Sequence, residues 1–383
     1  MTQSHRSCRP LSILLTAISA LGLSSACGHL PVPAPLAYPN PGPISSPAAT
    51  ALDTWTPLSL HVGFGARRAC CEVYFTDPTN PAADQMSGGI EDPLVEAIDG
   101  ARLSVHAAMY SLSLKDVRDA LLRAHRRGID VKIVMESDNI DADAPQRLKE
   151  AGIPLLGDRR EGLMHDKFMI IDGTEVWTGS MNFTTSGAYL DNNVLVRVRS
   201  KDLAEDYETE FSEMFIDDHF GPQTGRPTPN PTITVSDIPI EVYFSPDDHV
   251  EAALIQLLGG AESRIDFLAF SFTSDGLGSA MVQAKKRGVK VSGVMDADQS
   301  ASNQGTELES FLDAGIDVRL DGNPGQMHEK VLIIDQQTVV LGSYNFSASA
   351  EKSNDENVLV IHDPALARFY LDEFSRVYAL ARP

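Results

Sequence analysis

The sequence has 383 residues, enough for two domains of ordinary size, each with its own hydrophobic core. Hydrophobic residues make up 43% and charged residues 22% of the chain, which is typical of globular proteins and argues against disorder over most of its length. The formal net charge of −22 argues against a broad basic face that would bind nucleic-acid backbones by releasing counterions. A small basic pocket for one phosphate group remains compatible with this charge, because local and global charge can differ in sign.

The first 27 residues have the features of an export signal. Arg6 and Arg9 precede the apolar run Leu11–Leu23, which is too short to span a bilayer as a helix. Small residues then lead to Cys27, and this ending resembles the bacterial lipoprotein processing site, in which the cysteine is acylated. Ordinary signal-peptidase cleavage after Ala26 would cut the same bond. We therefore predict a signal peptide over 1–26 and an exported chain. It is either a lipoprotein anchored through Cys27, at the outer membrane or in the periplasm, or a secreted protein.

Two proline-rich segments divide the rest of the chain. Residues 27–60 are rich in proline and nearly uncharged, which predicts an extended tether. Residues 221–237 include a second run of prolines and threonines and are predicted to be a linker. The predicted domains are therefore 61–220 and 238–383, and each holds one copy of an internal repeat.

The repeat predicts the fold class. Glu72–Thr76 (EVYFT) opens the first copy and Glu241–Ser245 (EVYFS) opens the second. Each continues into a helical stretch, an apolar strand, a second helix and a further strand, and glycine ends the second helix at Gly128 and Gly288. Strands that alternate with helices predict an α/β domain with a largely buried sheet, present twice.

Two adjacent cysteines follow the tether, and the sequence leaves their state open. Cys70 and Cys71 would form a strained vicinal disulfide in an oxidising compartment, or remain two buried thiols. No spacing of cysteine and histidine indicates a zinc site.

Both repeats carry the same polar residues at the same spacing. Counted from a histidine, lysine, aspartate, glycine, serine and asparagine follow at offsets of 2, 7, 14, 15 and 17. Six such positions coincide by chance on the order of once in 10⁸ starting points. Residues two apart on a strand share a face, so imidazole, ammonium, hydroxyl and carboxamide groups converge, a set that suits a phosphate diester. The residues are His165, Lys167, Asp172, Gly179, Ser180 and Asn182 in the first copy and His328, Lys330, Asp335, Gly342, Ser343 and Asn345 in the second.

This pattern resembles the HxKxxxxDxxxxxxGSxN signature of the phospholipase D superfamily, and the resemblance extends from about Cys71 to Tyr378. It implies two similar α/β/α sandwich domains with mixed sheets, related by a pseudo-twofold axis across which the motifs face each other. It also implies that one histidine attacks phosphorus and forms a phosphohistidine, while the other protonates the leaving alcohol and then activates water. No metal or other cofactor is expected.

The resemblance also assigns roles to the remaining motif residues. Lys167, Lys330, Asn182 and Asn345 would hold the non-bridging oxygens of the phosphate. Asp172 and Asp335 would brace the turn after the strand, and Ser180 and Ser343 would support the site through hydrogen bonds.

A carboxylate behind the motif histidine is common in the family, and only one repeat offers it. Alignment of the two Asn-Val-Leu triplets places Glu356 opposite Asn192. We therefore predict that Glu356 orients His328 and favours its charged form, so that His328 is the acid. His165, with the neutral Asn192 behind it, is predicted to be the nucleophile. Members related to tyrosyl-DNA phosphodiesterase show a similar asymmetry.

Four functions remain open at this point. The leading hypothesis is a phospholipase D that acts as a monomer on phospholipid at a membrane surface, with substrate selectivity in loops 78–92 and 299–306. An exported, metal-independent endonuclease would need only a narrow groove for a short single strand. A phosphatidyltransferase of the cardiolipin-synthase type would replace water with an alcohol. A non-catalytic interaction module is the fourth.

Overall fold

The structure is a computed structural model that describes residues 54–160 and 162–382. The predicted signal peptide, Cys27 and the predicted tether as far as residue 53 lie outside the described residues. The described residues belong to one compact unit. No helix within the described ranges is both long and apolar enough to cross a bilayer.

The first half is built around a nine-stranded mixed sheet. Its strands are β1 (Thr56–Ser59), β2 (Phe64–Arg68), β3 (Cys71–Phe75), β4 (Ser104–Met109), β5 (Asp130–Met135), β6 (Leu155–Gly157), β7 (Lys167–Ile171), β8 (Glu175–Gly179) and β9 (Val194–Arg199). Its helices are α1 (Asp92–Gly100), α2 (Lys115–Arg126), α3 (Asp143–Glu150), α4 (Thr185–Tyr189) and α5 (Lys201–Phe215). The strand order is β1-β2-β3-β9-β8-β7-β4-β5-β6, and only the β4-β5-β6 pairs are parallel.

The second half repeats this arrangement with eight strands. Its strands are β10 (Thr232–Val235), β11 (Ile238–Ser245), β12 (Arg264–Ala269), β13 (Lys290–Met295), β14 (Asp317–Leu320), β15 (Lys330–Ile334), β16 (Thr338–Gly342) and β17 (Glu356–His362). Its helices are α6 (Val250–Gly260), α7 (Asp275–Lys286), α8 (Ala297–Ser302), α9 (Leu308–Asp313), α10 (Ala348–Lys352) and α11 (Pro364–Leu380). The order β10-β11-β17-β16-β15-β12-β13-β14 matches the first sheet strand for strand, apart from the additional β1. The predicted fold class, two α/β sandwiches with mixed sheets, is confirmed.

A hydrophobic core joins the two halves. It contains the inward faces of α5 and α11 together with one face of each sheet. Tyr207 of α5 packs edge-on against Phe168 of its own half and Phe244 of the other, with ring centroids 4.9 and 5.1 Å apart. Helices α1 and α2 cover the outer face of the first sheet, and α6 and α7 cover that of the second. The halves are therefore fixed against each other by buried apolar contacts.

Several local predictions can be compared with the structure directly. Gly128 and Gly288 follow α2 and α7 with φ of 84° and 97°, the left-handed conformation expected of a glycine that ends a helix. The end of the predicted tether forms β1, which pairs with β2 of the first domain, and the end of the predicted linker forms β10, which pairs with β11 of the second. Cys70 and Cys71 are both free thiols, and Cys70 Sγ lies 3.0 Å from Ser236 Oγ.

Asp172 and Asp335 brace loops at the far ends of the motif strands. The Asp172 carboxylate accepts hydrogen bonds from three consecutive backbone N–H groups, those of residues 102–104, at 2.7–3.1 Å. Asp335 accepts in the same way from residues 262–264. Both aspartates have positive φ, 54° and 52°, a conformation that aspartate tolerates better than most residues. Each therefore ties the end of the motif strand to the start of β4 or β12.

We expect D172A to lower the free energy of unfolding by about 2 kcal/mol, because three N–H groups lose a charged acceptor. D172N is the matched control: it keeps an acceptor oxygen and tolerates positive φ, so it should lose less. Urea unfolding of both variants measures the difference. Equal stability of D172A and the parent protein would contradict the bracing role.

Candidate active site

The motif histidines and lysines are buried at the start of β7 and β15. His165 and His328 are 6% and 5% exposed, and Lys167 and Lys330 are 1% and 2% exposed. Each ammonium donates a hydrogen bond to the carbonyl oxygen of its own histidine, at 2.5 Å in the first half and 2.7 Å in the second. The two-residue spacing thus places each lysine ammonium next to the backbone of its motif histidine. The acceptor of the ammonium is a neutral carbonyl and not a carboxylate, so its charge is not neutralised by this bond.

Backbone hydrogen bonds beside each histidine cross from one half to the other. The N–H of His165 donates to the carbonyl of Asp355, and the N–H of His328 donates to the carbonyl of Asn192, both at 3.0 Å. The two bonds are related by the pseudo-twofold axis. They therefore hold both motifs at the same interface between the two halves.

Glu356 contacts His165 and not His328. Its Oε2 lies 2.7 Å from Nδ1 of His165, while Oε1 accepts from Asn354 Nδ2 at 3.1 Å. The prediction that Glu356 orients His328 is therefore wrong, because it assumed that each histidine is supported by its own half. An ionised carboxylate only accepts hydrogen bonds, so Nδ1 of His165 carries the proton and Nε2 is left for a substrate.

Strand pairing also corrects the alignment of the repeats. The glycine of each Gly-Ser-x-Asn sequence pairs with Leu195 in β9 and with Val358 in β17. These two residues therefore correspond. Counting back two positions makes Asn193, and not Asn192, the counterpart of Glu356. The part of Asn192 that contacts the second half is its backbone carbonyl, which accepts from the N–H of His328.

His328 is supported by Asn193 of the first half. Nδ1 of His328 lies 2.9 Å from Oδ1 of Asn193, which also accepts from Ser180 Oγ at 2.9 Å. The amide orientation is fixed because Nδ2 of Asn193 donates to the carbonyl of Gly187 at 2.9 Å. Nδ1 of His328 is therefore the donor and Nε2 is left for a substrate. Ser180 acts on the histidine of the other half through this amide.

The motif glycines, Gly179 and Gly342, are required by a close approach of two strands. A Cβ on Gly179 would lie 2.2 Å from the carbonyl oxygen of Val194, and a Cβ on Gly342 would lie 2.1 Å from that of Asn357. These contacts bring β8 and β16 close enough for the following serine to bond the neighbouring strand. The backbone N–H groups of Val194 and Asn357 donate to the Oγ atoms of Ser180 and Ser343 at 3.1 and 3.0 Å.

Asn357 is a further cross-link that the sequence did not reveal. Its Nδ2 donates to Asp166 Oδ1 at 2.6 Å, and its Oδ1 accepts from Thr178 Oγ1 at 2.6 Å and Tyr207 Oη at 3.0 Å. All three partners belong to the first half, and Asp166 stands between the catalytic His165 and Lys167. No spacing in the sequence indicates these contacts, because they join residues 150 to 191 positions apart.

The motif asparagines lie in the loops that follow the second strand of each motif. Asn182 and Asn345 follow β8 and β16 and are partly exposed. Their Oδ1 atoms are buried, and neither has a hydrogen-bond partner among the described residues. Contact of the Nδ2 groups of these asparagines with a phosphate, which the resemblance implies, stays a prediction.

Burial dominates the electrostatics of the site. It lowers the pKa of both histidines well below the usual value, and the charges of Lys167 and Lys330 lower each pKa further. That each histidine responds to the lysines of both halves indicates one shared site. Burial lowers the pKa of Lys167 to about 8 and raises that of Glu356 to about 7. Two buried ammonium groups with carbonyl partners favour the binding of an anion.

We expect the affinity for tungstate, an anion of constant charge in this range, to fall as the pH rises through about 8. The lowered pKa of Lys167 brings the loss of its proton close to neutrality, and the neutral amine no longer attracts the anion. Calorimetric titration should show a Kd that rises by about tenfold per pH unit above pH 8.

K167R is the control, because arginine stays charged throughout this range. It should remove the part of the rise in Kd that is due to Lys167, even if the affinity is lower. The remaining pH dependence is due to Lys330, whose pKa burial also lowers well below its usual value. A Kd that is constant up to pH 9.5 in the parent protein would contradict the assignment.

A family profile described as "Cardiolipin synthase, PLD-like domain" matches residues 94–215 and 254–378, well over half of the chain, and both matches contain a complete motif. The chain belongs to the phospholipase D-like family. Over 138 residues it is 38% identical to mitochondrial cardiolipin hydrolase from Homo sapiens. This match covers 35% of this chain and 54% of that protein. It is 36% identical over 138 residues to phospholipase D from Rickettsia typhi, covering 36% of this chain and 67% of that protein.

The matched region thus spans only about half the length of the human relative. Among solved structures, phosphatidylserine synthase from Haemophilus influenzae superposes with a TM-score of 0.61, over 81% of this chain and 86% of that one. At 13% identity this likeness establishes the phospholipase D-like fold alone.

Proposed function

We propose that this chain is a phospholipase D, which hydrolyses a glycerophospholipid to phosphatidic acid and a free headgroup alcohol through a phosphohistidine. The observation that carries this proposal is the pair of imidazoles from opposite halves. Each is held through Nδ1 by the other half, and two buried ammonium groups flank them. The names of the relatives, cardiolipin hydrolase and phospholipase D, support phospholipid as the substrate class.

In the first step, Nε2 of His165 attacks phosphorus and forms a P–N bond. The P–O bond to the headgroup breaks, and His328, which reacts as the imidazolium, passes its Nε2 proton to the leaving oxygen. Burial lowers the pKa of His328, and the anionic phosphate of the bound substrate opposes this by favouring the imidazolium. Lys167 and Lys330 stabilise the negative charge on the non-bridging oxygens as it grows, together with the amides of Asn182 and Asn345.

In the second step, water enters where the alcohol left. Nε2 of His328, now without its proton, takes a proton from the water as oxygen attacks phosphorus. The P–N bond breaks and its electron pair returns to His165. Phosphatidic acid is released, and both imidazoles regain their starting protonation states.

We assign attack to His165 and proton donation to His328, as expected from the sequence but for a different reason. Attack makes the ring of His165 cationic, and the carboxylate of Glu356 at Nδ1 would stabilise that charge. His328 faces only the neutral amide of Asn193, which leaves the imidazolium more acidic and a better donor to the leaving oxygen.

The substrate class is tested by incubating the purified protein, in chelator, with phosphatidylcholine and separately with plasmid. Release of choline and phosphatidic acid without nicking is the expected result. Nicking without choline release would establish the endonuclease instead. A phosphatidyl alcohol as the main product in the presence of glycerol would establish the transferase. H165A protein prepared in parallel accounts for contaminating enzymes.

We further propose that the enzyme works as a monomer at a membrane surface after export, anchored through Cys27. Supporting this are the basic start, the apolar run Leu11–Leu23 and the small residues ahead of the cysteine. C27S in the full chain should lose palmitate label and move from the membrane to the soluble fraction. Retention of both label and location in C27S would refute the anchor.

A further inference from the structure

Each half places one aromatic residue directly beside its motif. Strands β4 and β12 end one residue before Tyr110 and Phe270. The backbone N–H of Tyr110 donates to the carbonyl of Asp166, and that of Phe270 donates to the carbonyl of Glu329, both at 3.0 Å. Asp166 and Glu329 are the middle residues of the two His-x-Lys motifs, so both aromatic residues are tied to the catalytic strands.

The segments that follow are tied to the asparagine motifs. The N–H of Ser113 donates to the carbonyl of Phe183 at 2.9 Å, and that of Thr273 donates to the carbonyl of Phe346 at 2.8 Å. Each aromatic residue therefore lies on a short segment that is fixed at both ends to the catalytic machinery. Its position relative to the reacting groups is set by backbone bonds and not by loop flexibility.

Both rings contact the catalytic groups of their own half. The ring centroid of Tyr110 lies 5.0 Å from that of His165, and the centroid of Phe270 lies 4.6 Å from that of His328, both edge-on. Nζ of each motif lysine lies above the ring of its half, at 5.1 Å from Tyr110 and 4.7 Å from Phe270. The rings are partly exposed whereas the histidines and lysines are buried, so each ring presents apolar surface next to the imidazole of its half.

The two rings differ in what they face during the reaction. In an in-line displacement the leaving oxygen lies opposite the attacking nitrogen. With His165 as the nucleophile, that oxygen lies beside His328 and hence beside Phe270. Residues 299–306, expected from the sequence to influence selectivity, reach the same segment: Asn303 Nδ2 donates to Oγ of Ser271, the neighbour of Phe270, at 3.0 Å.

We propose that Phe270 is the specificity-determining residue for the leaving alcohol and, in the second step, for the entering water or alcohol. This inference rests on the proposed phosphohistidine mechanism and its assignment of roles. The same space serves departure and entry, since water attacks from the side on which the headgroup left. An apolar ring there contacts the carbon chain of an alcohol but offers nothing to water, so it favours alcohol over water in that space. Tyr110, on the nucleophile's side, has no such contact.

The experiment compares F270L with Y110L, the matched substitution in the other half. With phosphatidylcholine as donor and 1-butanol as acceptor, the ratio of phosphatidylbutanol to phosphatidic acid measures how the intermediate divides between alcohol and water. Both products arise from one phosphoenzyme, so a general loss of activity cancels from this ratio. The second readout is the ratio of kcat/KM for phosphatidylcholine to that for phosphatidylglycerol, which differ only in the leaving group.

F270L is expected to lower the butanol-to-water ratio roughly tenfold and to change the headgroup ratio by a similar factor, because leucine keeps only part of the apolar surface of the ring. Y110L should leave both ratios within about twofold of the parent protein, even where kcat falls. Phe369 is a partly buried aromatic residue that packs against Trp55. F369L is therefore the control for losing an aromatic ring outside the site. Unchanged ratios in F270L, or equal changes in Y110L, would overturn the inference.

Measurement of the phosphoenzyme in each variant, after a quench in alkali that preserves phosphohistidine, distinguishes failure of the role of Phe270 from failure of the mechanism. If phosphohistidine forms but the ratios do not move, only the role of Phe270 fails. If no phosphohistidine forms in the parent protein, the proposed mechanism fails. If Y110L moves the ratios and F270L does not, the inference is overturned together with the assignment of His165 as nucleophile.

Discussion

H165A should be inactive on every phosphodiester, whereas H328A should still cleave a diester whose leaving group needs no proton. On phosphatidylcholine both variants are expected to lose on the order of 10⁶-fold in kcat, as when a nucleophile or its proton partner is removed from other hydrolases. With a p-nitrophenyl ester of phosphatidic acid, H328A should release one equivalent of p-nitrophenolate per chain and then stop. The leaving group departs without help, but no base remains to activate water.

Stopped-flow absorbance measures this burst, and H165A provides the control because it should give none. The double variant should behave as H165A alone, since the two imidazoles act in one pathway. A burst from H165A with none from H328A would reverse the roles. Steady turnover of phosphatidylcholine by either single variant at the parent rate would contradict a shared site.

Glu356 is the second residue whose replacement should have a large effect. E356Q keeps the shape of the side chain but removes the charge that faces Nδ1 of His165. The cationic phosphohistidine then loses its counterion, and we expect kcat to fall roughly 10²- to 10⁴-fold. A fall of less than threefold, measured in steady state at the parent optimum, would show that the carboxylate does not stabilise the intermediate.

N193D is the matched change at the other histidine. A carboxylate beside Nδ1 of His328 favours the imidazolium and raises its pKa. Because His328 donates its proton, the fall of kcat/KM on the alkaline side should move upward, by about one pH unit. N193D should shift the alkaline side of the kcat/KM pH profile, whereas E356Q should leave it in place. A downward shift in N193D would exclude His328 as the acid.

The repeated order of strands and helices was sufficient to predict two α/β domains, and the motif spacing was sufficient to predict the converging groups. His165 and Lys167, two residues apart before an apolar run, lie at the start of a buried strand, and Ser180 and Asn182 follow the next one. These relationships are local, so period and turn chemistry determine them. The repeat then predicts that the same arrangement occurs twice, which the strand orders confirm.

The support of the histidines could not be predicted in the same way. Glu356 and Asn193 each bond the histidine of the opposite half, over separations of 191 and 135 residues. Sequence similarity placed the Asn-Val-Leu triplets together, whereas the strand pairing shifts them by one residue. A shift of one position turns a side chain to the other face of a strand, so the partner of a histidine depends on register. Nothing within either repeat fixes that register.

The aromatic residues at the site were missed for a different reason. Tyr110 and Phe270 end apolar strands, where a ring is most simply part of the core. Their neighbours Met109 and Ala269 are fully buried, and only the packed structure shows that the rings themselves remain partly exposed beside the imidazoles.

The location and stoichiometry of the phosphoenzyme test the shared site most directly. The parent protein, mixed with phosphatidylcholine and quenched in alkali that preserves phosphohistidine, should carry at most one phosphatidyl group per chain, and peptide mass spectrometry should place it on His165. Two groups per chain would mean that the imidazoles act on separate phosphates, and modification confined to His328 would mean that the nucleophile is the other ring.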